Sequence, residues 1–360
     1  MPISKLLQAI PSALFILALT AKADTAPCWF NEPIQNDQAG ALGLARDLNV
    51  GSGNPLQFSR HRALTSLSNY LGLEHIPPRR ELDINSSETS LGNYNIYFAD
   101  EFHHGGYVYS YASIQPYSED KNTQQCQIQQ CDFQQCNPAW LCEPNLDKQA
   151  GLLGTSFRSS SMPAQYNEAI NKALQQLEPL YGVNISVNDR FYTNYSSMGT
   201  LRLLLSDSEL SMAQQQQDIS LRYLVSNSCQ LGEQLFLRVS FPELPPLSSV
   251  PASTWMKNPS TEQLQGAIGS VHGRVASTLL SDKIRLAIKR GLIALAKAKN
   301  SNISAELLSI ERNNRYYQVS AITEESEVSL HARVNGIHFN HGPTGVAVYA
   351  WLVETDGVSP

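Results

Sequence analysis

The stretch Trp29–Gly43, WFNEPIQNDQAGALG, returns at Trp140–Gly154 as WLCEPNLDKQAGLLG and, more loosely, at Trp255–Gly269 as WMKNPSTEQLQGAIG. Four residue types hold register in all three copies. They are Trp29, Pro33, Gly40 and Gly43, then Trp140, Pro144, Gly151 and Gly154, then Trp255, Pro259, Gly266 and Gly269. A chain with only 4 tryptophans that opens one phrase with three of them carries an internal repeat. Each interval between these tryptophans is the length of one small domain. Worked outward from the phrase, the chain divides into a signal peptide at 1–23, a first repeat domain at 24–117, a Cys/Gln-rich linker with a second repeat domain at 118–248, and a third at 249–360.

Beyond each second glycine lies a helix with matched small and large positions: HRALTSL at 61–67, INKALQQL at 170–177 and IKRGLIAL at 288–295. Ala63, Ala173 and Gly291 align as the small residue, which lets a helix backbone approach a sheet closely. In the third helix Leu280, Ile284, Ile288, Leu292 and Leu295 form the stripe of one buried face. Each copy closes with two β-rich runs. YNIYFA and YVYSYASI flank Gly105-Gly106, SLRYLVS and QLFLRVSF flank a loop holding Cys229, and VSLHARVNGIHF and GVAVYAWLV flank Gly342-Pro343. VNISV, TLRLLL, AELLSI and YYQVSAI are further strand candidates. The expected fold is α+β, three tandem repeats, each a helix packed on a mainly antiparallel sheet. The phrase itself reads as packing: a tryptophan anchor, a Pro-set turn and glycines under a helix. Nothing polar recurs beside the tryptophans, as a sugar-stacking platform would need.

Composition narrows the class. Apolar residues make up 42% of the chain and charged residues 16%, with a net charge of −6, so a basic footprint for nucleic acid is missing. The first residues carry Lys5, an apolar run LLQAIPSALFILALTA, and Ala21-Lys22-Ala23 as a small-x-small cleavage site, which predicts export. An acylated Cys28 is the rival, against which stands Pro27 in the position where a small residue is expected. Cys28, Cys126, Cys131, Cys136, Cys142 and Cys229 are an even set in an exported chain and are disulfide candidates, with pairing open. Zinc is the alternative for the cluster CQIQQCDFQQCNPAWLC, although its spacing lacks the paired C-x2-C of zinc knuckles.

Chemistry is sparse. Every residue shared by the three copies is Trp, Pro, Gly or apolar, so no catalytic residue, cofactor-binding residue or metal ligand is triplicated. His103-His104 beside Asp100 and Glu101 has metal-ligand residue types but reads first as a solvated polar loop, and His338 and His341, three apart, have a spacing that serves ligands on a helix better than at a strand end. GSGNP at Gly51 lacks the further residues of a nucleotide loop, and no G-x-S-x-G is present. The third helix concentrates Lys283, Arg285, Lys289, Arg290, Lys297 and Lys299, a pattern that suits either a solvated face or an anionic membrane surface.

The W-x3-P phrase, the later G-x2-G, the small-residue helix and the closing GVAVYAWLV strand resemble the small envelope lipoproteins of the LPP-twenty type. They also resemble related domains of flagellar outer-membrane ring and assembly proteins of the FlgP and FlgT kind. The resemblance is best over Trp255–Glu354. It implies a non-enzymatic structural or assembly scaffold of the periplasm or outer-membrane periphery. Its partners would be envelope proteins, flagellar basal-body components or further copies of itself, with no cofactor and no nucleic acid. The alternative is a periplasmic ligand-binding protein or enzyme with its site in a cleft between repeat domains.

Overall fold

The computed structural model describes residues 25–34, 38–48, 53–116, 125–145, 149–157, 159, 161–196, 199–212, 221–244, 250–260, 265–273, 280–312, 315–342 and 345–356. The signal peptide at 1–23 lies outside the described residues. All three phrases do the same local work. Each tryptophan is buried on a short turn of helix: Trp29 in a 3-10 turn at Cys28–Phe30, Trp140 in another at Ala139–Leu141, and Trp255 in α3, Ala252–Trp255. Burial of all three excludes the exposed platform that stacking on sugars requires.

Each phrase then runs into a strand: β2 (Gly40–Arg46), β8 (Ala150–Ser156) and β13 (Gly266–Val271). A helix crosses each: α1 (Pro55–Leu71), α2 (Met162–Leu174) and α4 (Leu280–Lys299). The second glycine of the phrase is where strand and helix touch. A Cβ on Gly43 would meet Ser59 O at 1.9 Å, on Gly154 Ala169 O at 2.1 Å, and on Gly269 Ala287 O at 1.8 Å. The aligned small residues lie at the same crossings, with Ala63 N at 2.4 Å, Ala173 Cβ at 3.3 Å and Gly291 N at 2.2 Å from those imagined carbons.

The proline has a role that periodicity does not reveal. Its carbonyl oxygen accepts a hydrogen bond from a side chain on the strand paired with the glycine strand. Tyr111 Oη donates to Pro33 O at 2.9 Å, Arg238 Nε to Pro144 O at 2.7 Å, and Trp351 Nε1 to Pro259 O at 2.8 Å. All three donors hold one ladder position, since Leu42 pairs with Tyr111, Leu153 with Arg238 and Ile268 with Trp351. The first glycine makes room for this clamp. A Cβ on Gly151 would lie 2.2 Å from Pro144 O, on Gly266 2.0 Å from Pro259 O, and on Gly40 2.1 Å from the Tyr111 hydroxyl. Trp29 stacks on Tyr111 and Trp255 on Trp351, with ring centroids 5.6 and 5.7 Å apart.

The sheets under the helices are antiparallel. β2, β6 (Tyr107–Ser113), β4 (Tyr94–Phe98) and β3 (Glu88–Leu91) lie in the order β2-β6-β4-β3, and β5 (Phe102–His104) also pairs with β6. Gly105-Gly106 therefore turns β5 into β6. The sequence expectation that YNIYFA forms the other arm of that hairpin is corrected, because β4 meets only the far end of β6 at Tyr97↔Ser113 and Phe98↔Ala112. β11 (Leu224–Leu231), β12 (Gln234–Phe241) and β8 lie in the order β11-β12-β8. Cys229 is inside β11, opposite Phe236, and not in a loop as expected, the turn falling at Gly232 with φ +57°. β16 (Ala332–Gly342) and β17 (Gly345–Glu354) complete the order β13-β17-β16.

Between the second and third of these sheets stands a fourth, built from both stretches of chain. β9 (Val183–Ser196) and β10 (Gly199–Met212) pair as one long hairpin, and β14 (Asn302–Arg312) and β15 (Arg315–Leu330) as another. β9 pairs with β15 from Val183↔Leu330 to Tyr195↔Gln318, giving the order β10-β9-β15-β14. Residues 118–248 and 249–360 thus share a sheet, and one apolar core runs from Cys131 to Leu352. The sequence candidates VNISV and TLRLLL are only fragments of these strands, because polar runs such as Asn188-Asp189-Arg190 hide the alternation.

Two polar clusters cross the same junction. Arg333 donates to Asn145 Oδ1 at 3.0 Å while Asn145 donates to Asn335 O at 2.9 Å, and burial pushes the Arg333 guanidinium down to about 10. Lys297 on α4 binds both Asp189 of β9 and Glu324 of β15, the latter at 2.9 Å. Burial alone would raise the Asp189 carboxyl, but the hydrogen bonds from Lys297 and Ser206 overturn it and hold it below the usual range. Glu324 is lowered chiefly by its hydrogen bond from Lys297. Burial would lower Lys297, yet its two carboxylate partners hold it above the ordinary lysine value. Depressed carboxylates stabilise the fold fully above the unfolded carboxylate range and lose that contribution as pH falls through their folded values. The raised lysine contributes fully below its unfolded pKa and loses its share only as pH rises through its folded value. Denaturant unfolding across a pH series should therefore show stability falling below about pH 4, with a smaller slope there in Lys297→Met. An unchanged slope in the variant would remove this cluster from the acid response.

Candidate interaction surface

The six cysteines are all bonded: Cys28–Cys126, Cys131–Cys229 and Cys136–Cys142. Disulfides of this kind are typical of exported proteins that mature in oxidising compartments. The sulfur of Cys28 is thereby taken and cannot carry a thioether lipid. The zinc alternative falls for the same reason. Cys136, Cys142 and His338 bring their ligand atoms within 4.8 Å of one another, but the two sulfurs are bonded to each other. The Gln-rich stretch is held by backbone bonds as well. β7 (Gln125–Gln127) pairs with β1 (Thr25–Pro27), and Cys131 N donates to Gln230 O at 2.8 Å.

The histidines do not assemble a site. His103 and His104 lie in β5 and not in a loop. His103 Nδ1 is 2.9 Å from Asp47 Oδ2 on the surface, and His104 stacks on Phe102. His338 and His341 sit three apart on β16, so strand alternation sends them to opposite faces. Burial lowers His338 from its ordinary value. GSGNP ends in a helix start, with Asn54 Oδ1 accepting from Leu56 N and Pro55 opening α1. Gly51 and Ser52 lie outside the described residues.

The basic face of α4, which the sequence leaves open between solvent and an anionic membrane surface, is largely committed to the fold. Lys283 Nζ donates to Val346 O at 2.9 Å, Arg290 to Ser270 O at 2.7 Å, Lys297 to its two acids and Lys299 to Glu354. Arg285 and Lys289 border a cleft of about 280 Å³ between α2 and α4, floored by Leu153, Val183, Ile284 and Leu292. No helix among the described residues is long and apolar enough to cross a membrane.

What the sequence reading missed is the far half of the β10-β9-β15-β14 sheet. Near the core its two faces differ in the usual way: Val183, Ile185, Val187 and Asp189 point inward and are buried, while Asn184, Ser186 and Arg190 alternate outward. Farther out both faces are exposed and both are apolar. Phe191, Leu204, Ile322, Ile303 and Leu307 share the face that is buried at the base, and Leu201, Leu203 and Leu205 the other. Leu201 is 68% exposed, Leu307 65% and Ile303 70%. Isolated surface leucines need no explanation, but eight large apolar side chains on one sheet, five on one face and three on the other, are of the kind that marks interaction sites. Among the described residues β10 and β14 are its edges, so each carries a row of backbone groups without a strand partner on one side. The run Leu203-Leu204-Leu205 was visible in the sequence. That it stands outside the core was not, because an apolar run on a strand ordinarily reads as buried.

No protein-family model, curated protein or solved structure matches the chain.

Proposed function

We propose that this protein is a non-enzymatic, exported envelope protein of three tandem α+β units that acts as a structural or assembly scaffold. The observation that carries the reading is the exposed apolar outer half, or blade, of the β10-β9-β15-β14 sheet, whose large side chains lie outside the core clusters of the described residues. The recurrent clamp of tryptophan, proline carbonyl and paired glycines supports the tandem units, since it repeats with packing residues alone and brings no acid, base or nucleophile to a common point. The disulfides support export, and the bonded Cys28 supports attachment through protein contacts. Assignment to the LPP-twenty-type group and to flagellar assembly rests on the sequence resemblance, and the partners follow from it: envelope proteins, basal-body components or further copies.

The test is complementation. A deletion strain should lose envelope integrity or motility. Leu203→Asp with Leu205→Asp, on side chains already half exposed, should accumulate as folded protein yet fail to restore the lost property. Full restoration by the double variant would overturn the blade as the working surface.

A further inference from the structure

The blade's free edge carries a more specific message. Resting on the scaffold reading, we infer that β10 pairs with β10 of a second copy of this chain, antiparallel, about a two-fold axis through Leu203. The strand is fourteen residues long, Gly199–Met212, and among the described residues it is bonded to β9 on one side only. In an antiparallel pair, residues directly opposite each other share a face. A two-fold axis normal to the sheet must therefore pass through a residue position, and the possible registers are few.

Side chains select among them. With the axis at Leu203, Leu201 lies opposite Leu205 of the second copy, Leu203 opposite Leu203, and Leu205 opposite Leu201. No other axis pairs all three leucines of that face with leucines. Moving the axis to Leu205 sets Leu203 against Asp207 and Leu201 against Glu209, which buries apolar surface beside unpaired carboxylates. In the Leu203 register the ladder runs from Gly199 to Asp207. Arg202 is the only charged residue within it other than the terminal Asp207, and Glu209 stays beyond its end. Across the joined sheet one row then reads Tyr192–Leu203–Leu203–Tyr192, because Tyr192 already pairs with Leu203 inside each copy. The chain's own β9–β15 ladder is the same kind of junction, one hairpin edge laid antiparallel on another.

The opposite edge is less suited. β14 carries Glu306 on the face shared with these leucines, and an outward charge on an edge strand is a recognised guard against pairing. Pairing of β10 with β14 of another copy would also be heterologous and would not close by itself, so it would extend into filaments. A two-fold β10 junction stops at two copies.

Because all six native cysteines are bonded, an introduced one is the only free thiol. Leu203→Cys should convert to a covalent dimer of the full exported chain under mild oxidation, the two Cα atoms at the axis lying about 4.5–5.5 Å apart. Ser211→Cys, eight residues from the axis, would be roughly 50 Å from its counterpart and should form no covalent dimer. A mixture of Leu201→Cys and Leu205→Cys chains should give the mixed dimer, and Leu203→Asp should sediment as a monomer where the wild type is a dimer. Crosslinking of Leu203→Cys only to Ile303→Cys would overturn the two-fold pairing in favour of β10–β14 association. Failure of every β10 cysteine to link, with a monomeric wild type, would overturn self-pairing. If the Leu203→Asp, Leu205→Asp variant still fails complementation in that case, the scaffold reading stands with a different partner.

Discussion

Gly269→Ala is expected to destabilise the protein by at least the ~3 kcal/mol at the upper end of overpacking penalties. The new methyl carbon would lie 1.8 Å from Ala287 O and 2.2 Å from Gly291 N. Both are backbone atoms of α4, so no side chain can rotate away, and relief requires lifting the helix off β13. That helix covers the core through Ile284, Ile288, Leu292 and Leu295, and lifting it would also pull Lys297 from Asp189 and Glu324. Gly342→Ala is the matched control: its nearest neighbour would be Gly345 O at 3.9 Å, so a change within about 0.5 kcal/mol is expected. Equal midpoints for the two variants in denaturant unfolding would show that the strand and helix have room that the packing denies them.

The second large effect concerns Cys131–Cys229. This bond closes a separation of 98 residues, with both sulfur-bearing residues buried, and joins the stretch before Trp140 to β11. On chain-entropy grounds a loop near that length restrains the unfolded chain by about 4.7 kcal/mol. Replacing both cysteines by alanine should cost about 2–5 kcal/mol and lower the melting temperature by roughly 5–10 °C. Cys136–Cys142 closes a separation of only 6 residues, so its removal should cost less than the ~3 kcal/mol of a 15-residue loop. A calorimetric ranking in the reverse order would show that the short bond holds the Trp140 turn more strongly than loop length allows.

The oxidised cysteines and the helix faces were legible because each depends on local chemistry. An even set of cysteines and a three-to-four spacing are both readable from the sequence alone. Cysteine pairing was not legible, because it depends on which strands meet: Cys28 reaches Cys126 only because β1 lies on β7, and Cys229 reaches Cys131 from inside a strand. The surroundings of the histidines and of the basic helix were not legible for a related reason. Their residue types were right for ligands or lipid, but strand alternation and internal acceptors decide where such side chains point.

By itself, then, the sequence determined the recurring phrase. Trp, Pro, Gly and Gly at set offsets are demanded by one local geometry, in which a Cβ at either glycine would collide with the Tyr111 side chain, a proline carbonyl or a helix backbone. Only the tertiary structure decided what completes that phrase, because Tyr111, Arg238 and Trp351 donate the same hydrogen bond from the same ladder position while sharing no residue type. It also decided that the hairpins of the second and third stretches join into one sheet. Strand pairing across more than a hundred residues is set by which edges remain free once each helix has covered its own strands. The same long-range choice leaves Leu201, Leu203 and Leu205 outside every core the chain builds.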